Sequence, residues 1–151
     1  MAKQSAGILL YRRNKGLEVF LVHPGGPFFL KKDLGSWSIP KGEWTKGEDA
    51  LAAAVREFKE ETGTDLDGDF VALTPIRQKG GKTVYAWALE GNIDAGHIVS
   101  NTFSLQWPPR SGKQQEFPEV DRAGWFGVEE AKQKINEAQT GFIAELEKRL
   151  T

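Results

Sequence analysis

The chain contains no cysteine. A disulfide framework, a thiolate nucleophile and Cys-ligated zinc or iron–sulfur centres are therefore excluded together, and a reducing compartment agrees with the composition. Histidine is scarce, with two residues, His23 and His97. Neither has a second ligand or a Ser/Asp partner at a recognisable spacing, so a His-based triad or zinc site is not expected. No charge sign dominates: 20 Lys and Arg face 21 Asp and Glu, for a formal net charge of -1. Nothing global pulls such a chain towards nucleic acid or anionic lipid, and neither is expected as a partner. No run approaches the roughly 18 apolar residues of a membrane span, and MAKQSAGILLYRRNKG has only a short apolar stretch interrupted by charge. The expectation is a cytoplasmic protein with no membrane segment.

What is present fits one domain over residues 1–151, because domains run to roughly 100–200 residues. The composition is 39% hydrophobic, 11% aromatic and 27% charged, enough apolar material for a core and too little charge excess for disorder. The 17 Gly, 7 Pro and 5 Trp suggest short strands, tight turns and large core side chains.

Apolar runs at 6–11 and 17–23, separated by Arg12-Arg13-Asn14-Lys15-Gly16, predict an antiparallel strand pair. Residues 37–40 suit a short strand, punctuated by Pro40 and Gly42. From about Lys46 to Thr62 the spacing predicts a helix, with Leu51, Ala54, Val55 and Phe58 on one stripe and Gly63 as its C-cap. Strands are expected over 70–76 and 83–89 around a basic, Gly-containing turn, and again over 98–105 and 120–126. The tail changes period, predicting helices over 128–135 and 141–150, with Phe142, Leu146 and Leu150 aligned. Strands, helix, strands, helices is the order of an α/β chain in which helices pack on a mixed sheet.

On the first helix Glu57, Glu60 and Glu61 fall at i, i+3 and i+4, so three carboxylates converge. On a helical wheel their mean direction lies about 120° from the apolar stripe. They read either as a solvated acidic face or as a site for a divalent cation that offsets their repulsion; Mg2+ takes oxygen ligands and commonly sits between carboxylates and phosphates. Arg56 reaches Glu60 at i+4 and can hold a carboxylate in place. Thr45-Lys46-Gly47-Glu48 has the pattern of a capping box, which would give Glu48 a role in closing the helix N-terminus.

Gly42, five residues, Glu48, seven residues, then Arg56-Glu57-Phe58-Lys59-Glu60-Glu61-Thr62-Gly63 resembles the signature of the Nudix hydrolase family. Every charged and Gly position of that signature is matched, and Thr64 stands where an aliphatic residue is usual. The resemblance implies an alpha/beta/alpha sandwich with a mixed β-sheet, and metal-dependent hydrolysis of a nucleoside diphosphate linked to another group. It also implies that Glu57, Glu60 and Glu61, with the Gly42 carbonyl, ligate Mg2+ (or Mn2+), that Arg56 orients these carboxylates, and that Glu48 supports them. Family members often use a Glu outside the motif as general base. Glu119, six residues before Trp125, matches that placement, with Glu116 as second candidate.

The substrate is less sharply drawn. Pro40-Lys41-Gly42 is similar to the pattern of the family's diadenosine polyphosphate hydrolases, whereas members that sanitise damaged nucleotides more often carry Pro-Gly-Gly. Dinucleoside polyphosphates are thus the chief expectation. Nucleoside triphosphate pyrophosphohydrolysis and a non-catalytic nucleotide-sensing module are the alternatives. Lys41, Arg77, Lys79 and Lys82 could hold phosphates, or the turn they mostly occupy is simply solvated. Gly81-Lys82-Thr83 mimics the end of a P-loop, but Ile76 occupies the place of the leading Gly, so that reading fails. Tyr85, Phe103 and Trp107 could stack a base, or belong to the core.

Overall fold

The computed structural model describes residues 3–44, 47–78 and 80–151. Its elements run β1 (Gln4–Arg13), β2 (Leu17–Pro24), β3 (Lys41–Glu43), α1 (Ala50–Thr62), β4 (Val71–Ala72), β5 (Ile76–Arg77), β6 (Thr83–Glu90), β7 (Thr102–Gln106), β8 (Gln114–Pro118), β9 (Val120–Gly127), α2 (Val128–Lys134) and α3 (Thr140–Leu150). The central sheet follows the order β4-β6-β1-β2-β9, with β3 added to β1 and β5 to β6; β7 and β8 form a separate ribbon. Pairing of β1 with β6 is parallel and the other pairings are antiparallel, so the sheet is mixed.

Strand β1 shows why two helical layers are needed. Successive side chains of a strand point to opposite faces. Ala6, Ile8 and Leu10 pack with Phe20, Val22 and the α1 residues Ala53, Ala54 and Phe58. Leu9 and Tyr11 pack on the opposite face with Leu21, Ile39, Phe142, Ile143 and Leu146. Each fully buried Leu, Ile or Phe contributes about 1.5–3 kcal/mol of hydrophobic stabilisation. The result is the expected alpha/beta/alpha sandwich, with α1 on one face and α2 and α3 on the other.

The sheet is split at its centre. Strands β1 and β2 pair from Tyr11↔Val19 to Arg13↔Leu17. Towards the start of β1 they separate, and residues 37–43 fill the gap: Ser38 bridges Val22 while Lys41–Glu43 pairs with Ser5–Gly7. The fit at Gly7 is close, since a Cβ there would lie 2.6 Å from the Pro40 carbonyl oxygen. Buried Gln139 holds the inserted segment from the other layer, its side-chain carbonyl accepting from Ile39 N at 3.1 Å and its amide donating to Ser38 Oγ at 3.1 Å.

Several expected boundaries move. Strand pairing falls at 41–43, with single bridges at Trp37 and Ser38 replacing the strand expected over 37–40. Helix α1 begins at Ala50, because Asp49 is its N-cap and accepts from Ala52 N at 3.0 Å. Gly47, at φ 97, turns the chain just before it. The capping box expected over Thr45–Glu48 has its Thr45 and Lys46 outside the described residues. The segment expected as one strand over 70–76 is two short strands, both on β6 and separated by Leu73-Thr74-Pro75. Residues 98–101 tie to α1 before β7 begins, with Val99 N donating to Thr62 O and Asn101 N to Glu60 O. Strand β8 was not expected: Gln114–Pro118 is largely polar and lacks alternation, yet it pairs with β7 along its length.

Candidate active site

The inserted segment sets Lys41 and Gly42, both half-buried, beside Gly7 and Ala6 of β1, and the Glu57 and Glu61 carboxylates of α1 lie against them. Glu57 and Glu61 are buried, each 9% exposed. This corrects the helical-wheel expectation that all three glutamates face away from the core. The sheet-facing side of α1 is Ala53, Ala54, Glu57, Phe58, Glu61 and Thr62, whereas Leu51 and Val55 are half-buried at the margin. A Cβ on Gly42 would lie 2.1 Å from Glu57 Oε2, so only glycine leaves room for that carboxylate.

Arg56 binds three acids at once. Its Nε and Nη2 donate to the two oxygens of Glu48 at 2.8 and 3.0 Å, and its Nη1 donates to Glu57 Oε1 at 2.9 Å and to Glu60 at 3.2 Å. Glu48 is thus a bidentate anchor for the guanidinium, a geometry lysine does not reproduce. These bonds, with Glu48 foremost, hold the guanidinium more firmly protonated than an ordinary arginine.

Desolvation dominates the electrostatics of Glu57, Glu61 and Glu119. Burial pushes the Glu61 carboxyl up to about 8, with the nearby Glu57 and Glu119 adding to the rise and Lys41 opposing it. Burial also raises Glu57, assisted by Glu60, and raises Glu119, again assisted by Glu60. Lys41 is depressed by burial and by Lys82, which puts the two ammonium groups within electrostatic reach of each other. A cavity of about 160 Å³ lies between Val22, Pro24, Ser38, Lys41, Glu61 and Glu119.

Glu119 is brought here by a relay of backbone bonds. Asn101 N donates to Glu60 O at 2.7 Å, Glu119 N to Asn101 O at 2.8 Å, and Gly25 N to Glu119 O at 2.9 Å. Glu116 is exposed on β8 opposite Ser104 and, among the described residues, has no such tie to α1.

The aromatic candidates separate into two groups. Tyr85 meets Trp44 edge-on at 5.5 Å, close to β3. Phe103 packs against Phe117 at 6.0 Å and lies over Gly26, while Trp107 meets Phe28 edge-on at 5.4 Å. The ribbon and the 25–36 segment therefore meet along a line of aromatic side chains, from Phe103 and Phe117 at the Glu119 end of the ribbon to Trp107 and Phe28 at its opposite end. Phe28, Trp44, Asn101 and Gln139 were not anticipated; a Phe exposed in a Gly-Gly-Pro-Phe-Phe loop was the one visible signal. Arg77 lines a separate hollow with Gln78, Asn136 and Glu137, and Lys79 lies outside the described residues.

Could this site hold a divalent cation? Among the described residues, no three His, Asp or Glu groups already stand as a metal cage, because Glu57 and Glu60 are turned to Arg56. The donor chemistry nevertheless fits: carboxylate oxygens and a carbonyl are hard ligands, the crowded acids raise one another's protonation, and Gly42 sets backbone without a side chain against the Glu57 carboxylate.

A mixed sheet between helical layers, with a Gly-Glu-Arg-Glu-Glu-Glu constellation spanning its split, defines a NUDIX-type domain. The chain belongs to the NUDIX domain family, whose model matches residues 1–146. Members of this family generally use divalent metal cations. The chain is 32% identical over 130 residues to Nudix hydrolase 5 of Arabidopsis thaliana, covering 85% of this chain and 38% of that protein. It is 30% identical over 103 residues to the asymmetrical bis(5'-nucleosyl)-tetraphosphatase of Rattus norvegicus, covering 60% of this chain and 66% of that one. In each case it spans less than two thirds of the relative's length. Among solved structures, a Caenorhabditis elegans Ap4A hydrolase binary complex superposes with a TM-score of 0.65 at 22% identity, covering 99% and 98% of the two chains. The NUDIX domain of Shewanella oneidensis NrtR, complexed with ADP ribose, does so with 0.70 at 16% identity, covering 100% and 90%. These two likenesses establish the fold.

Proposed function

We propose that residues 1–151 form one catalytic domain that hydrolyses a phosphoanhydride bond in nucleoside diphosphate-linked compounds, with dinucleoside polyphosphates as the preferred class and Mg2+ (or Mn2+) as cofactor. The observation that carries this reading is the convergence of buried Glu57 and Glu61 with Glu119 and Lys41 around Gly42. Identity to a bis(5'-nucleosyl)-tetraphosphatase supports the substrate class.

Glu57, Glu60, Glu61 and the Gly42 carbonyl would hold the cation. When bound, it neutralises phosphate charge, activates water and stabilises the departing phosphate. Arg56, anchored on Glu48, fixes the directions of Glu57 and Glu60. Glu119 accepts the proton of the attacking water, and burial, with Glu60 nearby, raises its proton affinity above that of an ordinary carboxylate. Lys41, with Lys82 beside it, draws the phosphate chain into the cavity, and the aromatic wall of Phe28, Phe103 and Trp107 receives a base. Tyr85 and Trp44 provide a second aromatic face on the far side of Gly42.

The test is a product-resolved assay with diadenosine polyphosphates, nucleoside triphosphates, nucleotide sugars and inositol pyrophosphates, each with Mg2+ and with chelator. Mg2+-dependent cleavage fastest on a dinucleoside polyphosphate is expected. Fastest cleavage of triphosphates would replace the substrate class, and binding without turnover would replace the catalytic reading by a sensing one.

A further inference from the structure

Gln139 stands between α2 and α3 in the chain, and its side chain is fully buried. A buried amide has donors and an acceptor that must be paired. The side-chain bonds of Gln139 cross to the inserted segment: Oε1 accepts from Ile39 N at 3.1 Å, and Nε2 donates to Ser38 Oγ at 3.1 Å. The turn that carries Gln139 is bolted to the same segment. Asn136 N donates to Trp37 O at 2.7 Å, Trp37 N donates to Lys134 O at 3.0 Å, and Gln139 N closes the turn on Asn136 O at 2.8 Å. Asn136 Oδ1 accepts from Ala138 N at 2.9 Å, which braces the turn further. The amide is thus presented to the segment from a fixed base.

The far end of that segment lies among the acids. Ile39 and Pro40 are buried, and Pro40 has its φ locked by its ring. Next in the chain, the Lys41 main-chain N–H hydrogen-bonds the Glu61 carboxylate, and Gly42 lies against the Glu57 carboxylate with no room for a Cβ. From the Gln139 oxygen to the acids of α1 there is one hydrogen bond and a short stretch of chain that includes a locked dihedral. A shift at Ile39 is therefore carried to Lys41 and Gly42.

We infer that Gln139 is a positioning residue for the active site: by holding Ile39 from the layer opposite α1, it sets where Lys41 and Gly42 meet Glu61 and Glu57, and so how tightly those acids hold a divalent cation. The catalytic consequence rests on the hydrolase reading; the placement of Lys41 does not.

The test compares the full chain with two variants. Gln139→Met keeps the approximate volume and removes both polar contacts, leaving the Ile39 N–H without its acceptor. Leu146→Ala empties a buried position of the same layer and costs stability without removing a hydrogen bond to the inserted segment. Three quantities are read, each at the same interval below the melting midpoint: amide hydrogen exchange at Lys41 in the metal-free chain, Mn2+ affinity by electron paramagnetic resonance without nucleotide, and steady-state kinetics with a dinucleoside polyphosphate. In Gln139→Met, exchange at Lys41 should quicken about tenfold, the scale of one lost hydrogen bond. Mn2+ affinity and kcat should fall about 10- to 100-fold, the range for removing a group that orients metal ligands, with KM changing less than kcat. In Leu146→Ala all three should stay at parental values. Parental exchange at Lys41 or parental Mn2+ affinity in Gln139→Met would overturn the inference, and so would equal losses in Leu146→Ala, which would leave Gln139 a purely structural residue. Should Gln139→Met not fold, Gln139→Asn, which is polar but one methylene too short to reach Ile39, is held to the same outcomes. If the parent cleaves no phosphoanhydride, the hydrolase reading falls, while exchange and Mn2+ binding still decide the placement.

Discussion

Glu61 illustrates how far one carboxyl can depart from its ordinary behaviour. Its pKa rises from 4.5 to about 8 in the metal-free protein, so the folded state keeps a proton that the unfolded chain gives up. The associated stability is complete below about 4.5 and is lost as pH rises through about 8. Glu61→Gln, permanently neutral, should therefore stabilise the metal-free protein by on the order of 2–3 kcal/mol at pH 8 and far less near pH 5, while abolishing turnover. Thermal melts at the two pH values with chelator check this; equal melting of variant and parent at pH 8 would remove the buried-carboxyl account. Arg56→Lys should lower activity or cation affinity by about 10- to 100-fold, because a single ammonium cannot serve Glu48, Glu57 and Glu60 together. Steady-state kinetics with a Mg2+ titration reads that loss. The spacing of these residues was plain in the chain. Their burial was not, because the apolar stripe of Leu51, Ala54, Val55 and Phe58 gave the side of α1 that faces the core only in part: Ala54 and Phe58 lie on it, and Ala53, Glu57 and Glu61 extend it on the flank away from Leu51 and Val55.

Secondary-structure elements carried a different mixture of legible and hidden information. The hairpin of β1 and β2 followed from two apolar runs, now buried on both faces, helix α1 from the helical spacing of its apolar residues, and the closing strand β9 from the apolar positions within 120–126. The insertion of 37–43 between β1 and β2 did not, because it depends on contacts with Gly7 and Gln139 far away in sequence. Two substitutions separate the roles of this insertion. In Gly7→Ala the new Cβ would meet the Pro40 carbonyl at 2.6 Å and Lys41 Cβ at 2.7 Å, so a loss of about 1–3 kcal/mol in denaturant unfolding is expected. Gly42→Ala instead meets the Glu57 carboxylate, the far end of a side chain that can move. It should melt close to the parent yet bind Mn2+ more weakly and turn over slowly; normal Mn2+ affinity would sever Gly42 from the site.

The assembled protein adds features that no segment carries alone. Phe28 and Trp107 are 79 residues apart and come together only when the 25–36 segment and the ribbon dock on each other. His23, which appeared partnerless in the chain, finds Asp121 from 98 residues away by the same closure. Because Phe28 is exposed, Phe28→Ala should raise KM for a dinucleoside polyphosphate several-fold while leaving kcat and the melting temperature nearly unchanged. A fall in kcat at constant KM would assign it elsewhere.

The ribbon of β7 and β8 has two strands and no sheet beside it, and isolated hairpins of this size are barely stable in water. It borrows its order from the Glu60 carbonyl through Asn101 and from Gly25 through Glu119. Anything that pulls α1 inward therefore tightens the ribbon too, so an event at the acidic end of the helix is transmitted as stiffness to the rim where a base would rest.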